Sequence, residues 1–293
     1  MDYAELADLL DSLPWGKAGV PESLAPFLTR AQLRSKRSGG LPPGRIEYQL
    51  LAALGLSGWS VRADLVQAVN LHKGLRLRSG TYMTAFRRLF EAELWIVHET
   101  SFSLRKLALV RLTPLGRQLL QATGLTPVVS EWERIEALHR GDTTRQMSHT
   151  AAICLFLHHA RARGYATAAC PTDTNGALSR PVLGPAEPDA VITRGDEETY
   201  VEVQGRGGWA WRKAAKWRHQ ADLQGHAAIC ALTPAWARRL AAEAQIVGVE
   251  IGYVTDLATL ANAAPAGLWT LLWRSRHSPL EAVEGQSDSP VVT

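Results

Sequence analysis

The chain has 293 residues, 46% of them hydrophobic and 20% charged, which supplies enough apolar surface for about two packed domains and excludes global disorder. The formal net charge is only +4, with a pI near 9.1, so the placement of the cations matters more than their total. No apolar run approaches the roughly 18 residues of a transmembrane helix, and the acidic, amphipathic start MDYAELADLLDSLPWGK does not read as a signal peptide. Cys154, Cys170 and Cys230 lack the paired spacing of a disulfide framework or zinc site, so a reducing compartment, the cytoplasm, is expected and no membrane partner.

Residues 1–44 are expected to form a helical and basic N-terminal arm: one or two short helices over 1–28, then TRAQLRSKRSGGLPPG, in which Arg30, Arg34, Lys36 and Arg37 precede Gly and Pro pairs. This segment reads either as a solvated connector or as an arm that touches phosphates. From Arg45 the pattern is helical. Ile46, Leu50, Ala53 and Leu54 share a face, and Gly55 is expected to end the run. Val61, Leu65 and Val69 mark a second helix with Ser60 as a candidate N-cap. A third helix, TYMTAFRRLFEAEL, carries the apolar stripe Met83, Phe86, Leu89, Phe90 and Leu94. Two strand-like runs, WIVHET and KLALVRLT, are separated by SFSLR, and the helix PLGRQLLQAT starts with Pro114 in its first turn and is followed by Gly124.

This order over residues 45–124 is that of a winged helix-turn-helix, and LVRLTPLGRQLL resembles the wing-to-helix junction of many bacterial winged-helix proteins. Arg87 and Arg88 lie off the apolar stripe of the third helix and are expected to face solvent. Arg76 and Arg78 precede that helix, and Arg105 and Lys106 sit in the expected wing. A helix that enters a major groove needs an exposed polar face flanked by cations for phosphates. Double-stranded DNA is therefore the expected partner of these six residues, against the plainer reading of a winged helix used for protein contacts.

Residues 125–146 read as a linker with one short helix, and the second domain as residues 147–274, followed by a polar tail, 275–293, expected to be disordered. HTAAICLFLHHARARGY is a buried helix ended by Gly164, TAAC a short strand, and PTDTNGALSRPVLGPAE a long loop. DAVITR and TYVEVQ are strands joined by the acidic turn GDEE. The helix WAWRKAAKWRHQADL, the strand AAICALTP, the helix AWARRLAAEAQIVG and the strand VEIGYVTD follow, then ATLANA and LWTLLW. The expected fold is α/β, a mixed sheet flanked by helices. Asp189 begins one strand of the hairpin, while Glu202 and Gln204, two apart on the other, project to one face. Asp189 and Glu202 can then approach and share a divalent cation. The plainer reading makes Asp189 a turn former and Glu202 part of a solvated sheet face. On the next helix, Trp209, Lys213, Lys216 and Trp217 lie near one face, suited either to stacking and phosphate contact or to a core anchored by the tryptophans.

Pro188-Asp189 followed by Glu202-x-Gln204 resembles the PD-(D/E)XK nuclease signature, and the order of elements over most of 147–262 is similar to the restriction-endonuclease-like fold. The whole chain resembles the bacterial replication-relaxation family of plasmid and mobile-element proteins, on His149, Pro188-Asp189, Glu202-Val203 and Lys213 or Lys216. The resemblance implies a DNA-binding protein with a nuclease-like domain. In an active enzyme Asp189 and Glu202, with His149 as a further candidate ligand, would hold Mg²⁺ or Mn²⁺. Gln204 would position water, and Lys213 or Lys216 would stabilise phosphate charge. Two departures bear on activity: Gln204 stands where a Lys is usual, and His149 where active members often carry Glu. The alternative is a non-catalytic regulator with a degenerate nuclease fold serving extra DNA contact or a homodimer. A protein-interaction adaptor is a third class, opposed by the basic third-helix region.

Overall fold

The computed structural model describes residues 1–13, 44–74, 80–102, 105–138, 143–169, 188–204, 211–262, 267–274 and 281–282. They fall into two compact units, Met1–Arg134 and Ile135–Thr293, so the division lies inside the segment read as a linker. The basic run 29–43, Arg76 and Arg78, the loop 171–187, Cys170 and Trp209 lie outside the described residues.

In the first unit, helix α1 (Tyr3–Ser12) is started by a capping box: the Asp2 carboxylate accepts from the N–H groups of Ala4 and Glu5, and the Glu5 carboxylate accepts from the Asp2 N–H. Helix α2 (Arg45–Ser57) is buried nearly all round and forms the centre of the unit. Gly55 does not end it. That glycine lies inside the helix, where Leu120 crowds it (an added Cβ would sit 2.5 Å from Leu120 Cδ1), and the stop is Gly58, whose φ of 69° gives the left-handed C-cap. Helix α3 (Arg62–Asn70) is preceded by Val61 rather than capped by Ser60; the Ser60 hydroxyl instead accepts from the Trp132 N–H at 2.9 Å.

Helix α4 (Gly80–Glu91) buries Tyr82, Ala85, Phe86 and Leu89. The expected stripe is thus rotated: Met83 and Phe90 face outward, and Tyr82 takes the interior, its hydroxyl donating to Asn70 Oδ1 at 2.9 Å. Strands β1 (Trp95–Phe102) and β2 (Arg105–Leu112) form an antiparallel hairpin paired from Trp95↔Leu112 to Phe102↔Arg105, so both are longer than their apolar cores suggested. Helix α5 (Pro114–Ala122) begins as expected, with Pro114 in the first turn and Thr113 accepting from the Gly116 N–H. The first turn of α6 (Glu131–Leu138) is tied back to the unit. Ser60 N–H donates to the Glu131 carboxylate, Glu131 N–H donates to the Gly58 carbonyl, and Arg117 meets Glu133 at 2.6 Å.

In the second unit, after the end of α6, α7 (Thr143–Arg161) packs against β3 (Ala166–Ala169), β4 (Ala190–Arg194) and β5 (Glu197–Gln204). Helix α8 (Trp211–Gln224), β6 (Ala227–Ala231), α9 (Pro234–Ile246), β7 (Ile251–Asp256), α10 (Leu257–Asn262) and β8 (Leu271–Arg274) follow. The strands form one mixed sheet in the order β3 to β8, parallel across β5-β6-β7 and antiparallel elsewhere. A two-residue strand β9 (Glu281–Ala282) extends its edge. The rest of the tail, 275–280 and 283–293, lies outside the described residues. Every residue of β6 is buried, so both faces of the sheet are covered there. The β4–β5 turn is tighter than GDEE: pairing continues to Arg194↔Glu197, leaving Gly195, at φ 60°, and Asp196 as a two-residue loop.

Gly252 pairs with Trp273, whose indole lies on the space a side chain would need: an added Cβ would come 2.1 Å from the ring. The indole N–H donates to the Val249 carbonyl, which fixes the ring. Gly252→Ala is therefore expected to destabilise the second unit by about 1–3 kcal/mol, the cost of overpacking. Urea unfolding followed by tryptophan fluorescence checks this, and an unchanged midpoint would contradict it.

Candidate functional site

The β4–β5 register brings the candidate acids together. Ala190 pairs with Val201, and one further step sets Asp189 opposite Glu202. Asp189 is buried. Its Oδ2 accepts from the Val203 N–H at 2.9 Å, which prolongs the ladder past the end of the strand, and its Oδ1 lies 3.2 Å from His149 Nε2 on α7. Glu202 and Gln204 do share a face: Gln204 Nε2 donates to Glu202 Oε1 at 2.7 Å. The Lys216 ammonium, from α8, donates to the same oxygen. Glu202 is buried, which overturns the reading of a solvated sheet face, and its Oε2 is buried without a hydrogen-bond partner.

These contacts set the charge states. Burial and the neighbouring Asp189 carboxylate push the Glu202 pKa up to about 8, against the pull of Lys216 and His149. Burial works against a charged His149, but the hydrogen bond and charge of Asp189, with the charge of Glu202, outweigh it and raise the imidazole pKa. Beside Glu202 is a cavity of about 20 Å³ lined by Tyr200, Lys216, His219 and Leu223 among others, room for about one water-sized group. Sequence reading missed Tyr200, His219 and Leu223. The signal was present: Tyr200 is two residues before Glu202 on one strand face, and Lys216, His219 and Leu223 recur at helical spacing.

Two buried carboxylates, Glu202 on β5 and Asp189 just before β4, the first with an orphaned buried oxygen, fit a hard divalent cation, which commonly takes one or two carboxylates and completes its shell with water and phosphate. Among the described residues no three His, Cys, Asp or Glu side chains form a ready metal group, so His149 meets Asp189 without completing a triad of ligands. Of the two candidate lysines the structure brings Lys216 to the acids; for Lys213 only the backbone, in α8, is described. Trp217 is a buried core residue packed with Ile229 and Leu240, so it offers no stacking surface. A further buried carboxylate, Asp256, ends β7 two strands from Gln204 and accepts from the Thr259 N–H, which accounts for it as a helix cap.

No family model matches the chain, and neither the curated proteins nor the solved structures contain a match.

In the first unit the paired arginines part company. Arg87 is exposed as expected, its side chain 70% accessible and only 3.9 Å from Glu91. Arg88 does not face solvent: its side chain is 14% accessible and meets Glu47, 8% accessible, at 2.6 Å. The helical step of about 100° turns Arg88 toward α2, where buried Glu47 requires a countercharge. Lys106 is exposed at the tip half of β2, where Arg105 is described by its backbone alone.

Two outcomes follow. Arg88→Ala should cost on the order of 3 kcal/mol, because it strands the Glu47 carboxylate in the interior, while Arg87→Ala should stay within about 0.5 kcal/mol of wild type. Thermal melts of both variants decide between them. A carboxyl whose pKa is raised above its unfolded value makes the folded state bind more protons than the unfolded state. Glu202 therefore favours folding below about pH 4.5 and erodes stability as pH climbs toward about 8. His149, also raised, loses its contribution in the same direction, from about pH 6.5 upward. Denaturant midpoints between pH 5 and 8.5 should thus decline less steeply in Glu202→Gln than in wild type; parallel curves would contradict the assignment.

Proposed function

We propose that this chain is a double-stranded-DNA-binding protein in which a winged helix-turn-helix (the first unit) is joined to a restriction-endonuclease-like domain (the second), and that the second unit is a metal-dependent DNA endonuclease. The observation that carries the reading is the arrival of Lys216, from the helix after β5, at the Asp189–Glu202 pair. The sequence lacks the usual lysine at Gln204, and an ammonium from α8 supplies the missing cation. The helix, hairpin and helix order of the first unit, with Arg87 and Lys106 exposed, supports the DNA-binding half. On this reading the chain is a protein of the replication-relaxation type, in a cytoplasmic, plasmid or mobile-element setting.

Asp189 and Glu202 would hold Mg²⁺ or Mn²⁺, which when bound polarises a phosphodiester and acidifies a water. The chain's own groups divide the remaining work. His149 and the Val203 N–H fix the two oxygens of Asp189. Gln204 orients Glu202 by its amide and offers no positive charge. Lys216, adjacent to Glu202, is the group able to donate to a phosphate oxygen as negative charge develops. A non-catalytic regulator is the second reading, favoured by one observation: Lys216 and Gln204 already occupy Glu202 Oε1, so the carboxylate is satisfied on one oxygen without a metal.

Incubation of the full chain with supercoiled, linear and single-stranded DNA, in Mg²⁺ or Mn²⁺ against chelator, tests the proposal. Cleavage should require metal and fall to background in Glu202→Ala. Lys216→Ala should cut more slowly by about 10²–10³ while still binding DNA, and Gln204→Lys should retain activity. Absence of cleavage of every form with both metals would leave the regulator reading.

A further inference from the structure

Helix α4 presents an outward face of unusual composition. Met83 is 53% exposed and Phe90 56%, and Arg87 lies between them at i+4 and i+7 spacing. At about 100° per residue these three side chains fall within an arc of about 60°. Thr84 borders the same face, half-buried. The adjoining face, Tyr82, Ala85, Phe86 and Leu89, is the part that packs into the core, whereas Met83 and Phe90 remain more than half exposed.

Large exposed apolar side chains separated by an arginine call for a partner that offers apolar contacts and negative charge together. A second copy of the chain fits poorly. Antiparallel pairing of two α4 helices about a dyad at this face sets Arg87 near its own symmetry mate, and like charges in apposition are destabilising. Duplex DNA fits on both counts. In its major groove the thymine 5-methyl group is the apolar feature, contacted by side chains such as Phe, and base edges and phosphates are the acceptors for arginine. The spacing also agrees. Seven residues of helix span about 10 Å, close to three base steps of about 3.4 Å.

We propose that Met83 and Phe90 are specificity-determining residues that read thymine methyl groups about three base steps apart, with Arg87 between them contacting the acceptors of the groove. The proposal rests on the DNA-binding reading of the first unit and adds to it the chemical feature that is read. Glu91, beside Arg87 at the end of the helix, exchanges a long ion pair for solvent when Arg87 turns to the duplex.

The test uses the full chain. Duplexes are selected from a random-sequence pool by affinity, and the winners are resynthesised with uracil in place of thymine, which removes only the methyl groups. Wild type should bind the uracil duplexes about tenfold more weakly, the loss expected for two buried methyl contacts. Met83→Ser/Phe90→Ser, substituted at exposed positions and checked by its melting temperature, should bind both versions equally while keeping a steep salt dependence. Equal affinity of wild type for thymine and uracil duplexes overturns the proposal while leaving DNA binding intact. Loss of a dimer in the double variant, with no thymine preference in wild type, overturns it in favour of a second copy on this face. Failure to bind any duplex overturns this proposal together with the DNA-binding reading.

Discussion

A carboxylate buried inside a covered sheet must find a countercharge, hydrogen-bond donors or a proton, and Glu202 draws on all three. Its strand packs against α7 and α8, with Val201 and Val203 buried as completely as the acid between them. Lys216 and Gln204 meet one oxygen, burial favours the protonated form, and the second oxygen is left without a partner. The architecture around it follows from this demand. The hairpin sets Asp189 opposite, α8 delivers the ammonium, and α7 brings His149 to Asp189.

The same rule operates in the first unit with a different outcome. Glu47 lies on α2, the central helix, and Arg88 turns inward to neutralise it. That pair is a structural device, for a buried charge left alone costs far more than the pair contributes. Its neighbour Arg87, one step round the helix, remains at the surface. Two consecutive arginines of equal chemistry therefore hold opposite roles, decided by the position of a carboxylate more than forty residues earlier.

Gly55 and Gly58 lie three apart, and only the second has the left-handed conformation that ends a helix; the first is small because Leu120 presses on it. Ser60 has the composition of an N-cap, yet its hydroxyl serves Trp132 at the start of α6. In each case a local rule named a sound role for the residue type, and a distant segment claimed it for another.

Local patterns alone determined the order and kind of nearly every described element. Amphipathic spacing marked the helices, alternation marked the hairpins, and the Pro-Asp and Glu-x-Gln spacing singled out the acids that the register then set opposite one another. These features depend on neighbours within about a turn or a strand. What tertiary structure decided was which side of each element is covered. It rotated the buried stripe of α4 by one residue, exposed Met83 and Phe90, hid Arg88, turned Trp217 into the core and brought Lys216 to Glu202. The physical reason is that burial and charge pairing depend on segments tens of residues away, whose approach no single stretch of sequence encodes.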